Sequence, residues 1–381
     1  MNKIVQINPE FTRVDVIKAP HRFAYTNPAN KIVLQSVDGS TFKVLFHDQE
    51  CSLNASLAWS VDGSTLYHAY DQIYAIDAES TSHKAITSFP EKFSVNFHLY
   101  HSPVNSRLVF YRDTTLLSLQ PEVLEPISLT ELSGIRGWFS IAPDSPTLYE
   151  FPTLSKSTIH DPEYFWWHST TDKVRCLLWK EEVLSERLIR VWAMDALGCN
   201  RLLLASFPQR PMCKFVLSPD GKTMVYTYHF EQDLALWGEY AGLYLRSLPD
   251  GVETLVSKRG KCPAWSPLGD TFAYIADAAL WLYEPNANTH TKIVAIPGSD
   301  VSSPIRSSGG SRQTPAWSWD GRFIAFWLQK PNKGFFERKR GELIKPGDIE
   351  DRHGLVDLER KQVFILDEGF WEHVSWQPSL A

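Results

Sequence analysis

The sequence predicts an all-β protein built from repeated four-stranded antiparallel units. The first observation is a turn that recurs after a large apolar residue, with clear copies at Trp59–Gly63, Leu217–Gly221, Trp265–Gly269 and Trp317–Gly321. The second is that each turn leads into an apolar strand and then a hairpin, as at Thr223–Tyr228. The third is the length of the unit, roughly 40–50 residues, which is typical of a propeller blade. Together these observations predict a β-propeller.

The chemistry of the turn accounts for its residues. Pro presets φ at the first corner, Asp tolerates the next position, and Gly accepts the left-handed conformation. Weaker copies are His101–Asn105 and Ile141–Ser145, and a truncated copy is Trp376–Ser379. No segment has a convincing helical period, and Thr170–Leu188 is the one place where a short helix is expected.

The two ends of the chain are predicted to complete one blade together. His21–Thr26, Lys31–Ser36 and Thr41–Phe46 match the second, third and fourth strands of a blade that lacks a first strand. Glu372–Trp376 matches a first strand with no partner strands after it. Joining the two closes the ring, so the sequence predicts a single seven-bladed propeller.

The blade assignment also defines the domain organisation. Residues 1–20 form an N-terminal lead-in that is expected to pack on the outside, and residues 21–381 form the propeller, with insertions at 152–187 and 330–353. The six blades between the chain ends are predicted at 54–88, 93–130, 134–208, 212–258, 260–297 and 312–367.

Composition restricts the class of partner. The 44 acidic and 38 basic residues leave a net charge of −6, which argues against nucleic acid or an anionic membrane as partner. Polar residues interrupt Met1–Pro9, so no secretory signal is expected, and no run approaches the ~20 apolar residues of a membrane helix. The five cysteines form no CxxC pair, which predicts free thiols. We therefore expect a cytoplasmic protein.

The motifs of several enzyme classes are missing from the sequence. It contains no GxSxG elbow, no HExxH, no P-loop and no GxGxxG. Neither a cofactor nor a metal is therefore expected, and no pair of carboxylates stands out as acid and base by spacing alone. The catalytic residues of any enzymatic activity remain unknown at this stage.

The repeated turns resemble those of the TolB-type β-propeller family, whose repeats are described as WD40-like or PD40. The resemblance spans nearly the whole chain and is carried by the four clear turn copies. It implies the propeller fold. TolB itself has a secretory signal and an α/β domain before its propeller, and this sequence shows neither, so the resemblance does not imply a Tol-Pal role.

The long connections fall on one predicted face of the propeller. Connections between the second and third strands, and between blades, share this face, and they include the long stretches at 152–187, 229–240, 297–312 and 330–353. Long loops on a rigid scaffold are where binding commonly resides. This long-loop face is therefore predicted to bind another protein.

Two groups of residues on this face are the predicted partner-binding site. One is an aromatic run in the first insertion, for which packing onto the core or an extra strand is the structural alternative. The other is an aromatic and basic segment in the second insertion, for which a solvated mixed-charge loop is the alternative. The residues are Tyr164, Phe165, Trp166, Trp167, Phe335, Phe336, Arg338, Lys339 and Arg340.

The mouth of the central channel is a second candidate site. Aligning the first strands on their turns places several cations, histidines and a glutamine near the axis, which would hold a small carboxylate or phosphate ligand. Pairing of the cations with nearby acids is the structural alternative. The predicted residues are His98, Arg136, Lys214, Lys261, Arg312, Gln313 and His373.

Two functions follow as hypotheses. The first is a protein-interaction propeller that uses the long-loop face. The second is a lyase or hydrolase that acts on an anionic saccharide or peptide at the channel mouth, by analogy with other propellers. A nucleic-acid contact through Arg338–Arg340 is a weaker third possibility, which the net charge opposes.

Overall fold

The described part of the chain consists of 30 short strands in seven sheets, without a helix. Among these residues there is accordingly no helix long and apolar enough to cross a membrane. The computed structural model describes residues 5–27, 29, 31–47, 56–69, 72–88, 99–101, 107–112, 115–121, 126–131, 165–169, 175–183, 188–194, 202–208, 212–228, 241–248, 251–299, 314–331, 349–366 and 374–378.

The strands are distributed over seven sheets, numbered in chain order. Two strands precede them, β1 (Gln6–Ile7) and β2 (Thr12–Arg13). Sheets 1 to 3 contain β3 (Arg22–Thr26), β4 (Lys31–Ser36) and β5 (Phe42–His47); β6 (Ser56–Trp59), β7 (Thr65–Ala69), β8 (Ile73–Asp77) and β9 (His83–Ala85); and β10 (Leu99–His101), β11 (Leu108–Arg112), β12 (Thr115–Leu119) and β13 (Pro126–Glu131).

The remaining sheets repeat the four-strand pattern. Sheet 4 contains β14 (Phe165–Ser169), β15 (Arg175–Val183), β16 (Leu188–Met194) and β17 (Leu202–Pro208), and sheet 5 contains β18 (Met212–Leu217), β19 (Thr223–Tyr228), β20 (Gly242–Ser247) and β21 (Glu253–Ser257). Sheet 6 contains β22 (Lys261–Trp265), β23 (Phe272–Ala276), β24 (Ala279–Glu284) and β25 (Thr289–Ala295), and sheet 7 contains β26 (Ala316–Trp317), β27 (Phe323–Pro331), β28 (Ile349–Asp357) and β29 (Gln362–Leu366). The last strand is β30 (Ser375–Trp376).

Each sheet is an antiparallel meander of four consecutive strands, except that sheet 1 recruits a strand from the other end of the chain. Its order is β30-β3-β4-β5, and Phe23 pairs with Trp376 while Ala24 pairs with Ser375. The C-terminal strand thus takes the position that β6 or β22 holds in its own sheet.

The N-terminal segment adds a fifth strand to two sheets. β1 pairs antiparallel with β25 in sheet 6, and β2 pairs parallel with β29 in sheet 7. Val5 and Phe11 are buried beside these edges. Pairing covers the outer edges of sheets 6 and 7, whose backbone N–H and C=O groups would otherwise face solvent.

The turn between the first and second strands is held by its own side chains. In sheet 7, the Ser318 hydroxyl donates to Asp320 (2.6 Å), and the amide of Phe323 donates to the Ser318 oxygen (2.8 Å). Gly321 has φ of +72°, a left-handed conformation that glycine adopts without a steric cost. The Ser60 and Ser218 turns repeat the Ser-to-Asp bond at 2.6 Å, and the left-handed φ of Gly63 and Gly221 confirms the predicted role of the turn glycine.

Tryptophans of the first strands connect neighbouring sheets. The indole N–H of Trp317 donates to Ala264 O (2.9 Å), that of Trp376 to Ala316 O (2.9 Å), and that of Trp59 to Ser375 O (3.0 Å). Each bond runs to the first strand of the preceding sheet, so sheets 6, 7, 1 and 2 are linked in series. The indole of Trp265 in sheet 6 has no partner among the described residues.

The hydrophobic core lies between the sheets, because each apolar cluster draws on two neighbours. One cluster joins Ile275 and Val294 of sheet 6 to Phe326 and Val356 of sheet 7. Other clusters join sheets 7 and 1, 1 and 2, 2 and 3, 4 and 5, and 5 and 6. This face-to-face packing of consecutive sheets is the arrangement of propeller blades.

Sheet 4 differs from the sequence-based expectation. Its first strand is β14, and together with β15 it lies inside the predicted insertion 152–187, whereas the turn predicted at Ile141–Ser145 lies outside the described residues. β15 also occupies the segment for which a short helix was expected. Its residues pair with β14 on one side and β16 on the other, and this two-sided pairing outweighs a weak helical period.

Candidate functional site

The long-loop face is described best where sheets 6 and 7 meet. The strand order brings three segments to this edge: the start of β22, the connection through Pro297 and Gly298, and the end of the β27–β28 hairpin. Lys330 of the hairpin donates from Nζ to Pro297 O (2.7 Å) and joins two of these segments. A side chain added at Gly298 would approach the Lys330 Nζ to 3.2 Å, so the connection and the hairpin are in close contact.

The β27–β28 hairpin extends beyond the rest of its sheet. The pairing of β28 with β29 ends at His353, but its pairing with β27 continues through Leu328–Arg352 to Pro331–Ile349. These four further residue pairs form a two-stranded ribbon, which at the usual rise per residue is roughly 13 Å long. We call residues 328–331 and 349–352 the projecting ribbon.

The side of the projecting ribbon that faces sheet 6 is anchored by charged groups. Leu328 is fully buried in the cluster between sheets 6 and 7, and Glu350, further along, is only 8% exposed. Arg352 lies 3.2 Å from Glu350 and also donates to the carbonyl of Asp351 (2.7 Å). The Arg352 contacts lie within β28, and the Lys330 bond ties the ribbon to the connection that leaves sheet 6.

An aromatic stack lies at the base of the ribbon, on the opposite face of the sheet. The rings of Trp327 and His353 are 5.1 Å apart and inclined by 23°. Asp351 and Gln329 form the next residue pair on this side. Partial burial raises the pKa of Asp351, although the neighbouring Trp327 and Gln329 side chains oppose the shift. The stack was not predicted from the sequence, because Trp327 and His353 lie on different strands and only the β27–β28 pairing brings them together.

Lys261 is the predicted channel-mouth residue whose side chain the structure describes. It is half-buried at the first position of β22 and pairs with Ile275, just before a β-bulge. The next residue, Cys262, has φ of +53°, an uncommon conformation for a residue other than glycine. Burial lowers the pKa of the Lys261 ammonium group, and no carboxylate among the described residues forms an ion pair with it.

The other predicted site residues are described in part or not at all. Phe165, Trp166 and Trp167 belong to strand β14 and Lys214 to strand β18, but only the backbone of these four residues is described. The aromatic run is therefore strand at Phe165–Trp167 and not a loop. The residues outside the described part are Tyr164, Phe335, Phe336, Arg338, Lys339, Arg340, His98, Arg136, Arg312, Gln313 and His373.

Metal-binding groups do not cluster in the part of the chain that the structure describes. No group of three or more His, Cys, Asp or Glu residues in this part is arranged to hold a metal ion. Cys262 is buried there with a free thiol.

Comparison with known proteins gives no match by sequence and clear matches by structure. No protein-family model and no curated protein matches this chain. Oligogalacturonate lyase from Vibrio parahaemolyticus is 12% identical, with 93% of this chain and 87% of that chain covered and a TM-score of 0.54. Oligogalacturonate lyase in complex with manganese is 12% identical, with 92% and 85% covered and a TM-score of 0.49. TolB from Acinetobacter baumannii is 14% identical, with a TM-score of 0.44.

These similarities concern the fold. The TolB match covers 72% of this chain and 63% of the TolB chain. At such low identities a structural match supports common architecture and leaves the function to the residues of the site. The chain has the β-propeller fold, which the face-to-face packing of its seven sheets and the match to oligogalacturonate lyase from Vibrio parahaemolyticus support, and TolB is among its structural neighbours.

Proposed function

We propose that the chain is a closed seven-bladed propeller that binds another protein through its long-loop face. The pairing of β30 with β3 supports closure, because it brings the two chain ends into one sheet. The indole bonds of Trp376 and Trp59 support it further, since they connect this sheet to its neighbours on both sides. In this proposal the seven sheets are the seven blades, preceded by the 1–20 lead-in.

The projecting ribbon is the observation that carries the proposed function. Lys330 bonds its base to the connection after sheet 6, and Glu350 is buried on the side facing that sheet, so we expect the ribbon to rearrange little on binding. A preorganised element loses less conformational entropy on binding than a loop does, which favours affinity. The predicted partner-binding residues Phe335 to Arg340 follow the ribbon directly in the chain, between β27 and β28.

The experiment compares two variants of the tagged full-length protein with a matched control. The variants change residues 335–340, between the two strands of the ribbon, and we call them the ribbon-loop variants. The double variants Phe335→Ser/Phe336→Ser and Arg338→Ala/Arg340→Ala test the aromatic and basic groups. Phe42→Ser is the control, because Phe42 is an exposed phenylalanine on β5, outside the long-loop face. All proteins are first checked for equal melting temperatures.

A partner recovered in stoichiometric amount with the wild type is purified and its affinity measured by calorimetry. We expect at least a tenfold loss of affinity, about 1.4 kcal/mol, for a ribbon-loop variant and none for the control. Equal affinity of the wild type and both ribbon-loop variants would contradict binding at this face. If the wild type retains no protein partner, binding of a small anionic ligand at the channel mouth becomes the better hypothesis.

A second candidate function is binding of a small anionic ligand at the channel mouth, and Lys261 favours it. Its half-buried ammonium group lacks a carboxylate partner among the described residues, and a bound anion would supply that missing charge. The structural similarity to oligogalacturonate lyase suggests a galacturonate oligomer as the first probe.

The test measures the melting temperature with and without the acidic oligosaccharide, and any unsaturated product that a lyase would release. Lys261→Met should abolish the stabilisation by the ligand, whereas Lys258→Met, at an exposed neighbouring lysine, should leave it unchanged. Identical responses of the two variants would argue against a site at Lys261.

A further inference from the structure

On the face opposite the long loops, the described turns of sheets 5, 6, 7, 1 and 2 follow one another. The turn of sheet 6 lies close to that of sheet 5. A methyl group placed on Gly269 would be 3.5 Å from the Pro219 ring. Likewise, a side chain at Gly321 of sheet 7 would lie 2.9 Å from Leu268 of sheet 6. Trp319 of sheet 7 donates to Trp376 O (3.0 Å) in sheet 1.

Similar contacts join the turns of sheets 1 and 2. The turns of five neighbouring sheets therefore follow one another. A side chain added at Gly63 would lie 2.8 Å from Pro378 O, and Gln377 donates from its amide to Gly63 O. We call this layer the turn face.

The turn face exposes apolar side chains at the tips of its turns. Leu268 is 63% exposed, Trp319 48% and Val61 46%. Trp319 and Val61 directly follow the turn serine in sheets 7 and 2, whereas Leu268 stands one position later, where the other turns have Asp. We call Leu268, Trp319 and Val61 the apolar arc. Leu268 lies beside Gly321 in the turn that carries Trp319, and adjacent exposed apolar side chains are typical of interaction surfaces.

The turn face carries more carboxylates than cationic side chains, although Asp357 is buried and paired with Arg322. The seven turns at 37–41, 60–64, 77–82, 218–222, 266–270, 318–322 and 357–361 carry nine carboxylates and four cationic side chains. The carboxylates are Asp38, Asp62, Asp77, Glu79, Asp220, Asp270, Asp320, Asp357 and Glu359. Carboxylates remain in excess even when Arg22 and Lys43 of the adjoining strands are counted, which both contact Glu79.

The charges of the turn face are fixed by local chemistry. The Ser60 hydroxyl and the Ser64 amide lower the pKa of Asp62, and Ser40 lowers the pKa of Asp38 in the same way. Arg322 is occupied, because it forms a two-point ion pair with the buried Asp357. The turn face therefore keeps a negative charge at neutral pH.

We propose that the turn face binds a basic amphipathic segment of a partner protein, in which Lys or Arg residues alternate with aliphatic or aromatic ones. The apolar side chains of such a segment would cover the apolar arc, and its cations would meet the carboxylates of the turn face. A second copy of this chain is a poor occupant, since two acidic turn faces repel each other. An anionic lipid surface is repelled for the same reason. This surface is separate from the long-loop face, so the protein has two binding faces.

The probe is a short labelled peptide of Lys and Leu in amphipathic order, with binding followed by fluorescence anisotropy. One comparison peptide replaces each Leu with Ser, and a second replaces each Lys with Glu. We expect the Lys–Leu peptide to bind at least tenfold more tightly than either, because the turn face presents apolar and acidic groups together. Raising the salt from about 0.1 M to about 0.4 M should weaken its binding, since exposed charges are screened.

Variants of the full chain locate the binding. Leu268→Ser and Val61→Ser should each weaken it by about fivefold or more, which corresponds to ~1 kcal/mol, and Asp270→Asn should reduce the salt dependence. Trp319→Ser removes the largest side chain of the arc, and Trp319→Phe is the companion variant that keeps an aromatic ring. Leu255→Ser is the matched control, because Leu255 is 43% exposed on the outer strand β21.

Either of two binding results would overturn the proposal, and so would dimer formation through this face. One is equal binding of the Lys–Leu and Lys–Ser peptides, which would reduce the contact to nonspecific charge. The other is an equal effect of Leu268→Ser and Leu255→Ser in proteins of unchanged melting temperature. A wild-type dimer that Trp319→Ser dissociates would assign the surface to a second copy instead. Because none of these variants lies on the long-loop face, the result is independent of the proposed function.

Discussion

We expect a buried histidine to make the stability of this propeller dependent on pH. His68 on β7 is fully buried, and neither of its ring nitrogens has a hydrogen-bond partner among the described residues. Its ring stacks on Tyr74 (4.9 Å, 12°) and lies 4.8 Å from Phe46 of sheet 1. Burial, together with the nearby His83, lowers the pKa of His68 from 6.5 to about 3.

The direction of the effect follows from proton linkage. Above pH 6.5 the imidazole is neutral in the folded and unfolded chains, and the full stability is present. As the pH falls below 6.5, His68 binds a proton in the unfolded chain but not in the folded chain. The free energy of unfolding therefore decreases until the pH reaches about 3. Each pH unit in this window removes about 1.4 kcal/mol, which gives about 5 kcal/mol in total.

Aromatic contacts reduce this loss in part. A protonated His68 would gain cation–π attraction from Phe46 and Tyr74, about 1–2 kcal/mol for a desolvated pair. We therefore expect a loss of roughly 3–5 kcal/mol between neutral pH and pH 3, which is a large part of the stability of a typical domain.

The assay is urea unfolding at several pH values from 7.5 down to about 4.5. In this range most carboxylates remain charged, so histidines account for most of the change in stability with pH. The perturbation is His68→Phe, which keeps an aromatic ring in the stack and removes the titrating group. The variant should lose about 1.4 kcal/mol less stability per pH unit than the wild type. His47→Gln, at an exposed histidine on β5, is the control and should follow the wild type. Parallel pH profiles for the wild type and His68→Phe would refute the reasoning.

Three further predictions concern stability and are measured by thermal or urea unfolding. Trp59→Phe should cost about 1 kcal/mol through the lost inter-sheet hydrogen bond, whereas Trp265→Phe, which loses no bond to a described residue, should cost less. Gly63→Ala should cost more than Gly39→Ala, because both glycines are left-handed but only Gly63 is crowded by the C-terminal segment; equal costs would exclude that contact. Arg322→Ala should cost about 3–5 kcal/mol, since it leaves a buried carboxylate unpaired, and a cost below 1 kcal/mol would contradict this.

The sequence alone determined the turns and therefore the repeat. Ser318, Asp320 and Gly321 lie within a few residues of one another, so their hydrogen bonds and left-handed φ need no distant partner. The strands beside such turns were predicted well for the same reason, because alternating apolar residues identify a strand locally. Sheet 4 was predicted poorly, since between residues 132 and 187 no strong turn copy marks the strands.

Only the tertiary structure decided the contacts between distant segments. β1 adds to β25 through Gln6 and Ala295, and no local pattern in the sequence connects these two residues. The indole bond of Trp59 to Ser375, the burial of His68 without a hydrogen-bond partner among the described residues, and the projecting ribbon are likewise decided by which segments meet. The physical reason is range: turn chemistry acts within a few residues, whereas pairing, burial and charge at a surface depend on groups that the fold brings together.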